Sequence, residues 1–429
     1  MPLAARAASP QGDGLFRQLK LRNWRQFGSL QLEFDERLTI ITGENGTGKS
    51  TVLRLLAQHL GWSGKLVATP LYHKGVLTFS PDARRKYTHA EEESNVPSIL
   101  VGHLEYRDGQ RTEILVGARV GGEYEPQLPS AQRTPGIFIS SHRPVFQFQQ
   151  IGAIPTTVMQ ATNVFNYMTH ESVSRFQPGN GFMSPTFRMK ETLVSWAIFG
   201  PGSDILAPNP AAMKAFRQFE DLLRLVLPED LGFERIRIEM PEVVLETTSG
   251  KFPLEGASGG IATIIDLIWQ LHLFSLAHPD RTLSLLIDEP ENHLHPALQR
   301  ELMPKLLRAF PNSQVVVATH SPFVVSADPS ARVYALKFDS SRRVVAELLE
   351  GLDKSGSAND VLRSGLGLDV TVPVWVEEKL NGIAERLERT SNLNLEFIDS
   401  LRRELRESGL EEYAPDVLTR ILGTQRRGQ

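Results

Sequence analysis

The chain has 429 residues, 41% hydrophobic and 22% charged, which suits one large α/β domain with an insertion or two to three ordinary domains. A formal net charge of -4 gives no global attraction to nucleic acid and leaves only a local basic groove as a possible binding surface. Cysteine is absent, which excludes disulfides, thiolate zinc sites and cysteine nucleophiles and fits a cytoplasmic protein.

Residues 1–14, "MPLAARAASPQGDG", lack an apolar segment of signal-peptide length and read as a disordered tail. From Leu15 to Thr42 the pattern alternates like strands and ends in the short apolar run "LTIIT" before Gly43. Helical spacing follows in "KSTVLRLLAQHL" up to Gly61. Residues 62–136 are mixed, and "SILVGHLEYR" and "RTEILVGARV" around the turn "DGQ" predict an antiparallel sheet. "GIFIS" is a buried strand that leads into a loop, so 15–155 form a first lobe.

Residues 156–228 read as a helical insertion. The strands "ERIRIEM" and "EVVLETT" follow, then a long helix from Ser258, a strand at 283–287, a helix from Pro296 and a strand at 314–319. These place a second lobe at 229–350 and leave 351–429 as a helical tail. Alternating strands and helices imply a mostly parallel sheet covered by helices. The apolar run from Ile261 to Ala277 carries Asp266, Gln270 and His272, so it reads as a buried helix, and no membrane partner is expected.

"GENGTGKST" lies between a strand and a helix and matches the phosphate-binding pattern G-x-x-x-x-G-K-[ST]. Gly43, Gly46 and Gly48 let the backbone turn tightly, so the N–H groups of Asn45, Thr47 and their neighbours can surround phosphate oxygens. The helix opening at Lys49, Ser50 and Thr51 adds its positive end. Lys49 is expected on the β and γ phosphates of ATP and the Ser50 hydroxyl on Mg²⁺.

Such a loop needs a carboxylate from a neighbouring strand. "LSLLIDEPENHLHP" supplies Asp288 for Mg²⁺ and Glu289 as general base for the attacking water. A zinc cage of Asp288, His293 and His295 would compete for the Mg²⁺ carboxylate and lacks a closing ligand. The histidines therefore read as part of a helix start before Pro296. Ser258, Gly259 and Gly260 open another helix and offer N–H donors and a hydroxyl to a second phosphate, most naturally one held by another subunit. His320 ends the strand "VVVAT", where it can reach the γ-phosphate edge.

These four elements in this order resemble the ABC-type ATPase superfamily, which also includes the SMC and RecF proteins. The correspondence is Walker A at Gly43–Thr51, signature at Ala257–Gly260, Walker B at Leu283–Glu289 and the switch histidine at His320. "DEPENHLHP" and "THSP" resemble, more narrowly, the OLD (overcoming lysogenization defect) class. The resemblance implies an α/β ABC-type P-loop ATPase with a mixed sheet, an antiparallel β subdomain and a helical insertion. It also implies a homo-oligomer, at least a dimer with shared ATP sites.

A Q-loop glutamine near Mg²⁺ is implied as well. Gln147, Gln149 and Gln150 compete for that place, Gln149 is carried as the metal-side candidate, and Arg143 is an alternative phosphate-facing group. Full-length OLD proteins add a Toprim nuclease, whose acidic pattern has no counterpart after "VPVWVEEKL". The expected effector is therefore a separate protein such as a nuclease. Stand-alone ATPases of this type resemble sensor subunits of PARIS, Septu and retron-linked anti-phage systems. The alternative is a RecF-like ATPase of DNA repair.

Overall fold

The computed structural model describes residues 15–349 apart from 63–64, 74–75, 82–97, 119, 144–145 and 175–184. Beyond these it describes Val376, Asp399, Arg403 and residues 405–407, all helical, within a second compact unit, Leu368–Gln429. The expected tail at 1–14 and most of 351–429 lie outside the described residues.

The first compact unit contains β1 (Phe16–Trp24), β2 (Phe27–Glu33), β3 (Leu38–Gly43), α1 (Lys49–Ala57), β4 (Leu66–Val67), β5 (Thr69–His73) and β6 (Val76–Ser80). It continues through β7 (Ser98–Tyr106), β8 (Arg111–Gly117), β9 (Glu123–Tyr124) and β10 (Gly136–Ile139). Three helices follow, α2 (Ala161–Ser174), α3 (Pro185–Phe199) and α4 (Pro210–Val226). Next are β11 (Phe233–Glu239), β12 (Glu242–Thr247), β13 (Gly250–Pro253), α5 (Gly259–Ala277) and β14 (Leu283–Asp288). The unit closes with α6 (Pro296–Ala309), β15 (Ser313–Ala318), α7 (Pro322–Val325), β16 (Arg332–Phe338) and β17 (Val344–Leu349).

Ten strands form one mixed sheet in the order β10-β14-β15-β3-β16-β17-β2-β1-β7-β8. The first five run parallel, and β1, β2, β7 and β8 pair antiparallel. The antiparallel strands of 98–117 therefore extend the main sheet through β1. Strands β16 and β17, which the apolar pattern did not bring out, join the P-loop strand to that antiparallel half.

In the parallel centre every residue of β3, β14 and β15 is buried, so these strands read as continuous apolar runs. Successive side chains still point to opposite faces. Leu285, Ile287, Val315 and Val317 pack under the helices α2–α6, whereas Leu286, Val316 and Ile41 pack under α1. In the helical layer Trp269 of α5 meets Trp196 of α3 and Phe219 of α4, with ring centroids 5.5 and 4.9 Å apart. By length and apolar composition α5 passes as a membrane-crossing helix, but it lies within this core.

Candidate nucleotide site

The site lies at the C-terminal edge of the parallel strands. Gly43 ends β3 with φ 138°, and a Cβ there would stand 2.3 Å from the Leu336 carbonyl oxygen of β16, so only glycine fits. Gly46 and Gly48 also take positive φ, and the chain then enters α1 at Lys49. The Thr47 hydroxyl donates to the Glu44 carbonyl at 2.8 Å and pins the loop. Lys49 Nζ folds back to donate to the Gly43 and Glu44 carbonyls at 3.0 and 3.1 Å. Burial pushes its ammonium down to about 8, against the pull of Glu289, Asp288 and Glu291.

Asp288 ends β14, 5% exposed. Burial raises its carboxyl, and a hydrogen bond from Ser50 opposes that rise. Its Oδ1 is buried with no hydrogen-bond partner. An orphaned carboxylate oxygen beside a serine hydroxyl is a donor set that suits a hard divalent cation, so Ser50 and Asp288 fit Mg²⁺.

Glu289 adopts φ 46°, its amide donating to the Ala318 carbonyl of β15 at 2.8 Å. Its Oε1 lies 3.8 Å from His320 Nε2, and its Oε2 accepts from Asn292 Nδ2 at 2.9 Å. Asn292 also donates to the Ser141 carbonyl at 3.2 Å, which ties the carboxylate to the loop after β10. Burial and the neighbouring Lys49 lower the His320 imidazole, while Glu289 works the other way.

Lys49, Ser50, Asp288, Glu289 and His320 thus converge, as their spacing led us to expect. Glu291 and Asn292 are additions that sequence reasoning missed. Both stand inside the quoted "DEPEN" run, where a second carboxylate so close to a buried strand end was the available signal.

Ser258 is the N-cap of α5, but its side chain makes no capping bond, and Ser258 and Gly259 are exposed. Among the described residues no hydrogen bond or ion pair joins this turn to the Lys49 and Glu289 cluster. The turn is anchored from behind. Lys190 of α3, fully buried, donates to Glu242 at 2.5 Å, Glu255 at 2.7 Å and the Gln149 carbonyl at 3.1 Å.

Gln149 therefore contributes its main chain to Lys190, and Gln147 and Gln150 are exposed. Arg143, in contrast, lies near Asp266, Glu291 and Asp288, and its Nη2 donates to the Glu289 carbonyl at 3.5 Å. Burial lowers its guanidinium, and its Nε and Nη1 are buried without partners. His295 caps α6, its Nδ1 accepting from the Ala297 amide at 3.4 Å, and His293 takes φ 67° in the turn before it.

The profile described as "AAA domain, putative AbiEii toxin, Type IV TA system" matches residues 212–326, and one described as "AAA domain" matches 18–68. The two matches fall on the Walker B and Walker A halves of this site. The fold, a mixed α/β sheet with a phosphate loop between β3 and α1, is that of a P-loop ATPase. Its homologues include the Septu protein PtuA of Bacillus thuringiensis, 21% identical over 378 residues, 85% of this chain and 87% of that one. The "Retron Ec83 probable ATPase" of Escherichia coli is 30% identical over 133 residues, 29% of this chain and 24% of that protein. The chain thus spans most of the PtuA relative's length and about a quarter of the retron relative's. Among solved structures, the chain is similar to the SMC head domain from Thermotoga maritima at 13% identity and a TM-score of 0.37, over 78% of this chain and 98% of that one.

Proposed function

We propose that this chain binds and hydrolyses MgATP at a site shared between two copies. We further propose that it uses the cycle to regulate a separate effector, a nuclease, in cytoplasmic anti-phage defence. The observation that carries the reading is the convergence of Lys49, Asp288 with its orphaned oxygen, Glu289 and His320 at one sheet edge. Kinship with Septu and retron proteins supports the biological setting.

ATP phosphates would occupy the N-terminus of α1, where Lys49 exchanges the Gly43 and Glu44 carbonyls for phosphate oxygens. Mg²⁺ held by Ser50 and Asp288 would neutralise charge on the phosphates. Glu289, steered by Asn292, takes a proton from the water as its oxygen bonds to the γ-phosphorus and the bond to ADP breaks. His320 borders the same phosphate edge. The exposed Ser258 turn, with its hydroxyl free of any capping bond, would complete the site of a second copy.

Two inactive variants test the sharing. Lys49→Ala should lose tight MgATP binding, and Ser258→Arg should bind ATP without hydrolysing it. A mixed dimer places both lesions in one composite site and leaves the other intact, so mixtures should recover part of the activity. Full activity of Ser258→Arg alone would remove the shared site. Duplex DNA binding whose affinity falls steeply with salt would favour the repair reading.

A further inference from the structure

We infer that Glu291 is a positioning residue for hydrolysis, holding the turn that presents His320 to the γ-phosphate edge. The inference rests on the ATPase reading above. One oxygen of Glu291, Oε1, accepts from the Thr319 hydroxyl at 2.5 Å, the His320 amide at 2.9 Å and the Ser321 amide at 3.1 Å. The side chain belongs to the loop after β14, and all three donors belong to the turn after β15. The clasp therefore fixes the two strand ends that carry Glu289 and His320 relative to each other.

Its chemistry suits the task. The residue is 8% exposed; burial raises its carboxyl, while the bonds from Thr319 and His320 favour the ionised form, whose hydrogen bonds are the short, strong class. The Thr42 hydroxyl of β3 donates to the Thr319 carbonyl at 3.0 Å, so the turn is gripped from the P-loop side as well. Ser321 starts α7 with its own side chain, accepting from the Phe323 and Val324 amides. That leaves His320 as the residue of the turn whose side chain is free to face the nucleotide, one-third exposed and 3.8 Å from Glu289. The other Glu291 oxygen, Oε2, is buried without a hydrogen bond, and the Arg143 guanidinium provides the nearby opposite charge.

A clip that only stabilised the fold would share these contacts but not their kinetic consequence. Displacing a reacting or stabilising group by about 1 Å costs on the order of 10²-fold in rate. Glu291→Ala should therefore lower kcat about 10²-fold. It should leave the MgATP dissociation constant within about threefold. Glu291→Gln, which keeps an acceptor oxygen of the same shape, should return to within about tenfold of wild type.

The decisive measurement is a double-mutant cycle with His320→Ala, each variant first checked for cooperative thermal unfolding. If Glu291 acts through His320, the double variant is no slower than His320→Ala alone. Losses that multiply, or a Glu291→Ala rate equal to wild type, overturn the inference. If Glu291→Ala does not fold, the same cycle run with Glu291→Asp, which keeps the charge but withdraws the carboxylate by one methylene from the three donors, decides by the same criteria. Wild type that fails to turn over MgATP overturns the ATPase reading and this inference with it. Normal wild-type turnover with multiplied losses overturns the inference alone.

Discussion

Replacing Lys190 by methionine should destabilise the chain by about 3–5 kcal/mol, the cost of breaking a buried ion pair from one side. The ammonium is fully buried, with Glu242 at 2.5 Å and Glu255 at 2.7 Å. At an effective dielectric of about 20, a pair near 2.7 Å attracts by about 6 kcal/mol before desolvation is counted. Desolvating three charged groups offsets most of that, which is why the intact triad adds little net stability. Removing only the cation reverses the balance. Glu255, 4% exposed, keeps its charge with no partner, while Glu242 at 23% can still reach water. Urea unfolding of Lys190→Met measures the loss, and the triple variant Lys190→Met/Glu242→Gln/Glu255→Gln should recover at least half of it. The site should respond too, because the Ser258 turn begins three residues after Glu255. A Lys190→Met protein within about 1 kcal/mol of wild type, the range of exposed pairs, would refute the reasoning.

Glu289→Gln should keep MgATP binding but lose about 10²–10⁴ in turnover, and single-turnover rates within a few-fold of wild type would move the base elsewhere. Gly43→Ala should cost more stability than Gly46→Ala. The first sets a Cβ 2.3 Å from a carbonyl oxygen, whereas the second meets open space and carries only the strain of φ 82°; thermal melts of the two variants check the order. Burial lowers both His59 and His272 from 6.5 to about 4, so both stay neutral in the fold. A depressed folded value means stability is complete above pH 6.5 and is lost as pH falls towards 4, by roughly 3 kcal/mol for each histidine. Unfolding free energies across that window should fall less steeply in His59→Phe, and an equal slope would show that His59 does not contribute.

Local chemistry made the candidate nucleotide site legible in the sequence. A phosphate loop requires glycines, a lysine and a hydroxyl within nine residues, and a buried strand must end in the carboxylates it presents. Gly43–Thr51 and Leu283–Glu289 satisfy both requirements within unbroken stretches. The same locality explains the Ser258 and His295 helix starts. The pattern does not carry long-range partners. Strands β16 and β17 were recognised only in the fold, where they pair with β3 and β2, because their apolar runs are short and are interrupted by Lys337 and Glu347.

The loop after β10 posed a similar problem, since three glutamines and an arginine were equivalent as letters. Tertiary packing separates them by burial, giving Gln149 a main-chain role and placing Arg143 beside Asp266, Glu291 and Asp288. Glu291, Asn292 and Lys190 belong to that second category. Their contacts span 28 to 30 residues from Glu291 to the His320 turn, 151 from Asn292 to Ser141 and 65 from Lys190 to Glu255. Sequence determined which groups could do the chemistry, because those groups act through type and spacing. The folded sheet decided which side chains hold them, because a buried charge is defined by the partners that three-dimensional packing brings to it.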